Sequence, residues 1–214
     1  MMRARYAGEL ESVRQNLIAM GETTIALLAE ALRAVVDPNP GCAARASELE
    51  AQTDHQHRLI HDQCLSVITL QAPVARDARL ITGALDAIVD LELIGDYAYE
   101  MVGLVPAKQG RLPSQILSQI SEIGAKIREV LSAAIDSWRN EDRGLALSAR
   151  PREAAIRAEC QALADKVSLL TSAPGDVTAY VNLLLICRHL ERITRHAVCV
   201  AEQAAEAARP APAG

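Results

Sequence analysis

The chain of 214 residues is half hydrophobic, with no phenylalanine, one tryptophan and four tyrosines, and carries a formal net charge of −5 at neutral pH. That length suits one large or two small domains, and an interior of Ala, Leu, Ile and Val with so few aromatics favours close helix packing over a sheet sandwich. The acidic balance argues against broad nucleic-acid binding, which needs a basic patch, and no uncharged apolar run approaches the ~18 residues of a membrane span.

Five cysteines, Cys42, Cys64, Cys160, Cys187 and Cys199, form no C-x-x-C pair. They read as small buried hydrophobes of a reducing compartment rather than a disulfide framework or thiolate metal site. The short start Met1-Met2-Arg3-Ala4-Arg5 leads into no apolar signal region. The expected location is cytoplasmic, with any membrane association made through partners.

In chain order, a first helix is expected from about Tyr6 to Val36, its apolar stripe Leu10, Val13, Leu17, Met20, Thr24, Leu28, Leu32 and Val35. Asp37-Pro38-Asn39-Pro40-Gly41 supplies the stop. A second helix follows from about Cys42 to Leu70, marked by Leu49, Thr53, Ile60, Cys64 and Val67. After the turn at Gln71-Ala72-Pro73, a third helix carries Leu80, Ala84, Ala87, Leu91, Ile94, Ala98, Met101 and Val105 at helical spacing, and Pro106 closes it. Gly110 and Pro113 complete a linker.

The pattern then begins again. Ile116, Ile120, Ile123, Gly124, Leu131, Ile135 and Trp138 repeat Val13, Leu17, Met20, Gly21, Leu28, Leu32 and Val35 at one constant offset. The same offset carries Thr53, Ile60, Cys64 and Val67 onto Ile156, Leu163, Val167 and Leu170. The loop Thr171-Ser172-Ala173-Pro174-Gly175-Asp176 is shorter than its counterpart, and Leu190-Glu191-x-Ile193 then repeats Leu91-Glu92-x-Ile94. The expected fold is all-α: a tandem duplication of an antiparallel three-helix bundle, six helices in all, with repeats at 1–106 and 107–209 and a disordered tail at 210–214.

The chemistry-bearing residues lie on the second and third helices. Glu92, Asp96 and Glu100 share one ridge of the third helix, where like charges repel unless water, a basic partner or a cation neutralises them. Alone, such a ridge is an ordinary solvated face. The second helix adds Glu50, Asp54, His57 and His61, within roughly a 60° arc that can face the first ridge. Carboxylate with imidazole suits Fe, Mn or Zn, whereas an all-oxygen cage suits Mg. Catalysis has little support: there is no phosphate-cradling glycine loop or activated nucleophile, and Asp54-x-x-His57 is the single approach to the Glu-x-x-His motif of dimetal carboxylate enzymes. No catalytic residues are therefore assigned. The alternative is a carboxylate-bridged metal enzyme or metal-storage bundle.

On the second repeat the corresponding positions read Glu153-x-x-x-Arg157 and Glu191-x-x-x-Arg195. Two aspartates have become arginine, which abolishes an anionic ligand set and leaves either surface ion pairs or a docking face for an acidic or phosphorylated partner. Arg150, Arg152, Arg188 and Arg192 make the neighbourhood locally basic. One carboxylate-rich face and one basic face, opposed, would let a rigid helical adaptor engage two partners of different charge.

Four segments carry a resemblance to a known family: Leu17-Ile18-Ala19-Met20-Gly21, the turn Leu70-Gln71-Ala72-Pro73-Val74-Ala75-Arg76-Asp77-Ala78-Arg79-Leu80-Ile81, Asp90-Leu91-Glu92-Leu93-Ile94-Gly95-Asp96-Tyr97-Ala98, and His189-Leu190-Glu191-Arg192-Ile193-Thr194-Arg195-His196-Ala197. Over nearly its whole length the chain resembles the PhoU phosphate-signalling regulators. The resemblance implies metal clusters bound by Glu/Asp-x-x-x-Asp motifs on the bundle surface: here Glu50, Asp54, Glu92 and Asp96, with His57, His61 and Glu100 as possible extra ligands for Fe, Zn, Mn or Mg. Glu100 stands where the family usually has Asn, and Thr194 where it has Gly. With Arg157 and Arg195 also present, no metal is expected on the second repeat. The implied role is non-enzymatic: a negative regulator of the phosphate-starvation response and of phosphate uptake. Such a regulator bridges the ATPase subunit of a phosphate ABC transporter and a sensor histidine kinase of two-component signalling, commonly as a homodimer.

Overall fold

A computed structural model describes residues 2–104, 113–170 and 177–210. Among them are helices α1 (Met2–Val36), α2 (Pro40–Gln71), α3 (Ala75–Gly103), α4 (Ser114–Asn140), α5 (Arg143–Leu147), α6 (Arg150–Leu170) and α7 (Val177–Ala207), and no strand. No helix of the described residues is long and apolar enough to cross a membrane. Pro106, Gly110, Val105, the loop Thr171–Asp176 and the tail 211–214, all assigned from sequence, lie outside the described residues.

Local signals set the helix ends. Asn39 both follows the α1 stop and caps α2: its side chain accepts from the Cys42 amide, and Pro40 occupies the first turn, where its missing N–H costs nothing. Cys42 lies in the first turn of α2 and is buried. The α2 helix ends at Ala72 in the left-handed conformation (φ 44°), with its N–H on the Ile68 carbonyl. Beside the six expected long helices stands one short turn, the five-residue α5. Glu141 closes α4 at φ 51°, and Asp142 then caps a new turn by accepting from the Leu145 amide. At the far end Arg209 is not loose, since its carbonyl accepts from the Arg79 guanidinium at 2.9 Å.

The predicted stripes are the core. Every residue of the α2 stripe is buried, as are the α3 positions from Leu80 to Met101. Leu10 and Leu170 are only partly buried, packed against the rim of the core. The repeats do not keep separate interiors. Helix α1 packs on α3 and α4, and α7 packs on α3 and α4, so these four form a square whose buried residues make one continuous cluster. Helix α2 covers the α1–α3 side and α6 covers the α7–α4 side. The seam between repeats is thus the α3–α7 and α1–α4 contacts. Trp138 locks it by donating its indole N–H to the Val200 carbonyl at 3.3 Å within α7's repeat, with its ring tip against Gly83 of α3. Glu141 ties α4 to the first repeat through ion pairs with Arg14 and Arg76.

Candidate functional site

Packing of α2 on α3 brings the predicted carboxylates together. Gly95 of α3 packs close to Leu27 of α1 and Thr53 of α2, which sets α2 against α3 at the level of Asp54 and Asp96. Burial raises the Asp96 carboxyl above its usual range, and the charges of Glu92, Asp54, Glu50 and Glu100 push it further the same way. Burial likewise raises Glu50, with Asp54 adding to it. Asp96 and Glu50 thus feel both burial and the repulsion of neighbouring carboxylates.

The histidines divide. His57 turns its Nδ1 to the Glu92 carboxylate at 3.5 Å, while its Nε2 is buried without a partner. His61 instead faces its exposed neighbour Asp62 at 3.6 Å, its ring 6.4 Å from that of His57. Glu100 leans across the seam to His189 Nε2, also at 3.5 Å. Among the described residues no three His, Cys, Asp or Glu side chains stand as a formed ligand group. The donor chemistry nevertheless fits a cation. Four carboxylates repel around Asp96, and the imidazole of His57 beside Glu92 keeps one ring nitrogen buried and unpartnered.

The second-repeat positions make ion pairs. Glu191 receives Arg157 at 3.2 Å and is also paired with Arg188, and Arg157 reaches back to Glu153 at 3.8 Å. Burial by itself would raise Glu191, but hydrogen bonds and charge from Arg188 and Arg157 outweigh it and hold the carboxyl below its usual range. Arg150 and Arg152 are drawn off to Glu202 and Glu129. What remains is an open cleft of about 540 Å³ between α3, α6 and α7, with Arg157, Arg188, Arg192 and Arg195 in its wall.

Several residues of this region were given no role by sequence. Tyr97 of α3 stacks on His189 (5.6 Å between ring centres), lies 5.8 Å from the His196 ring, and carries the Arg192 guanidinium over its face at 5.2 Å. Asp90 holds His196 Nδ1 at 2.7 Å and Gln203 at 3.1 Å. The spacing of His189, Arg192 and His196 marks one ridge of α7, but only the α3–α7 contact reveals Tyr97 and Asp90 as its partners. The same contact corrects the expectation of opposed faces. Asp96 and Tyr97 are adjacent on α3, and Glu100 acts on both Asp96 and His189, so the acidic patch and the arginine cleft border one another across the seam.

Comparison with known proteins agrees with this duplicated architecture. The model of the PhoU domain matches twice, over residues 17–105 and 120–204. The phosphate-specific transport system accessory protein PhoU homolog of Pseudomonas aeruginosa is 29% identical over 201 residues, covering 92% of this chain and 83% of its own. Its Synechocystis counterpart is 27% identical over 206 residues, covering 94% and 90%. The crystal structure of PhoU from Pseudomonas aeruginosa superposes with a TM-score of 0.86 at 26% identity over 93% of this chain and 96% of that one. The phosphate transport system regulatory protein PhoU from Streptococcus pneumoniae shares the fold (TM-score 0.85, 19% identity, 93% and 94% covered). With both repeats matched and the helices superposing almost end to end, this chain belongs to the PhoU family.

Proposed function

We propose that this protein is a non-enzymatic accessory regulator of a phosphate transport system. It restrains uptake and represses the phosphate-starvation response when phosphate is plentiful, as an adaptor between the transporter's ATPase subunit and a sensor histidine kinase. The observation that carries the reading is the double PhoU-domain match over both repeats, together with full-length relatives named as accessory proteins of phosphate-specific transport. A rigid four-helix centre bearing two adjoining patches of opposite charge supports an adaptor, because each patch selects a partner of complementary charge. Such an adaptor would act at the inner membrane face through its partners, and as a homodimer.

Glu50, Asp54, Glu92 and Asp96 would hold a metal on the first repeat, with His57 beside them. A bound di- or trivalent cation supplies the counter-charge these carboxylates lack and stiffens α2 against α3. His61 is paired with Asp62 and Glu100 is shared with His189, which makes them weaker candidates.

The test is alkaline phosphatase output in phosphate-replete cells lacking this gene and any paralogue. Derepression, reversed by the wild-type gene, is expected; unchanged output would remove the regulatory role. For the metal, purified Glu92→Ala plus Asp96→Ala is expected to lose bound metal and metal-dependent thermal stability. Equal metal content in variant and wild type would remove that assignment.

A further inference from the structure

The repeat relation places Arg157 and Arg195 where the first repeat has Asp54 and Asp96. The same helix frame that gathers anionic donors on one repeat therefore gathers guanidinium groups on the other. Arg188, Arg192 and Arg195 lie at i, i+4 and i+7 on α7, and Arg157 faces them from α6. Like charges at this spacing repel, as the carboxylates do on α3.

The carboxylates nearby do not balance them. Glu191 is shared between Arg157 and Arg188, and Asp90 is occupied by His196 and Gln203. Among the described residues, Arg192 and Arg195 form no ion pair with a carboxylate, and both are exposed toward the cleft. Arg192 is instead held over the Tyr97 ring, which fixes its plane without neutralising it. Planar guanidinium forks fixed around a concave, mostly polar opening match a compact oxyanion with several acceptor oxygens. An extended acidic peptide would want apolar anchor pockets along a groove, which this arginine wall does not offer.

We propose that the cleft walled by Arg157, Arg188, Arg192 and Arg195 is a binding site for a phosphate-type oxyanion, either inorganic phosphate or a phosphate monoester. Arg192 and Arg195 supply the unpaired forks. Arg157 and Arg188 hold Glu191 between them and frame the opening. The site goes beyond the adaptor role, and its binding readout in purified protein stands whether or not the reporter strain responds.

The experiment is calorimetric titration of the chelator-treated full chain with inorganic phosphate and, separately, with phosphoserine at low ionic strength. Saturable one-site binding of at least one ligand is expected, and which of the two binds tells a free ion from a phosphorylated group. Arg192→Gln plus Arg195→Gln should weaken it by at least about tenfold, since charge-assisted bonds are lost. Arg195→Lys, which keeps the charge but not the fork, should fall in between. Arg45→Gln, which removes an exposed arginine of α2 outside the cleft, should bind as the wild type does, and the chelator treatment separates this cleft from any phosphate bridged by metal on the first repeat. Thermal melts confirm that each variant is folded; these arginines are exposed, so folding is expected to survive. The proposal is overturned if neither ligand binds saturably, if the double arginine variant keeps wild-type affinity, or if an unphosphorylated glutamate peptide binds as tightly as whichever phosphate ligand binds.

Discussion

Gly21 of α1 receives the side chain of Ile135 from α4, and at the equivalent place in the second repeat Gly124 receives Leu32 from α1. A Cβ at Gly21 would lie 2.6 Å from Ile135 Cγ1, and one at Gly124 would lie 2.5 Å from Leu32 Cδ1. The two contacts exchange the same pair of repeat positions, so α1 and α4 cross as the halves of a self-complementary interface would. Glycine here serves close approach, because neither residue has positive φ.

Replacing a helical glycine by alanine ordinarily stabilises a helix by up to about 1 kcal/mol. At Gly21 and Gly124 the expected sign is reversed. Gly21→Ala or Gly124→Ala must displace a buried branched side chain, and should destabilise by about 1–3 kcal/mol. Gly8→Ala, with nothing within 4 Å of the added carbon, serves as the control and should be neutral or stabilising. Urea unfolding midpoints of the three variants check the contrast.

Asp96 gives a metal-dependent prediction. Its carboxyl is raised in the folded state by burial and by four neighbouring carboxylates. A carboxyl so raised binds more protons folded than unfolded, so its stabilising contribution is present below the ordinary carboxylate range and is lost as pH rises through the raised value. At neutral pH the ionised group is a cost. Asp96→Asn should stabilise the chelator-treated protein by a few tenths to about 1 kcal/mol at pH near 7, the gain fading toward acid pH. Added metal should reverse the order, raising the wild-type melting temperature and leaving the variant unmoved.

Glu191 behaves in the opposite sense. Although burial works against it, Arg188 and Arg157 hold its carboxyl below the usual range. Its contribution is therefore present above the unfolded-state value and is lost as pH falls through the lower folded one. Glu191→Gln should cost up to about 1 kcal/mol at neutral pH, a modest figure because the pair is partly solvated. Thermal melts of the two proteins should converge as the buffer is taken below the ordinary carboxylate range.

Asp90 holds two partners from the other repeat, His196 and Gln203. Asp90→Ala would leave both without it in a partly buried seam, where the Gln203 carbonyl oxygen already lacks a partner. A loss of about 1–3 kcal/mol is expected. Amide hydrogen exchange should show the increase in α3 and α7 before α2 or α6, because the bond joins the first two helices.

Much of this architecture is legible in the residues. The stripes of α1 to α4 and the constant offset between Gly21 and Gly124, or Thr53 and Ile156, define long amphipathic helices and their duplication, because burial on a helix is written in a local period. The gathering of Glu50, Asp54, Glu92 and Asp96 follows from that period once α2 and α3 are neighbours. The short α5 was hidden because it depends on Glu141 adopting a left-handed cap and Asp142 starting a turn, a matter of one dihedral rather than a pattern.

The sequence by itself determined helix content, the repeat, the α2–α3 carboxylates and the change of sign in the second repeat, all of which depend on spacing within one helix or between adjacent ones. Only the tertiary structure decided how the repeats share a core, that Tyr97 and Asp90 serve α7, that Glu100 also reaches His189 across the seam, and that the two charged patches adjoin. Those facts rest on contacts between residues about a hundred positions apart, fixed by the packing of α3 on α7, and no local period records which face of one helix meets which face of another.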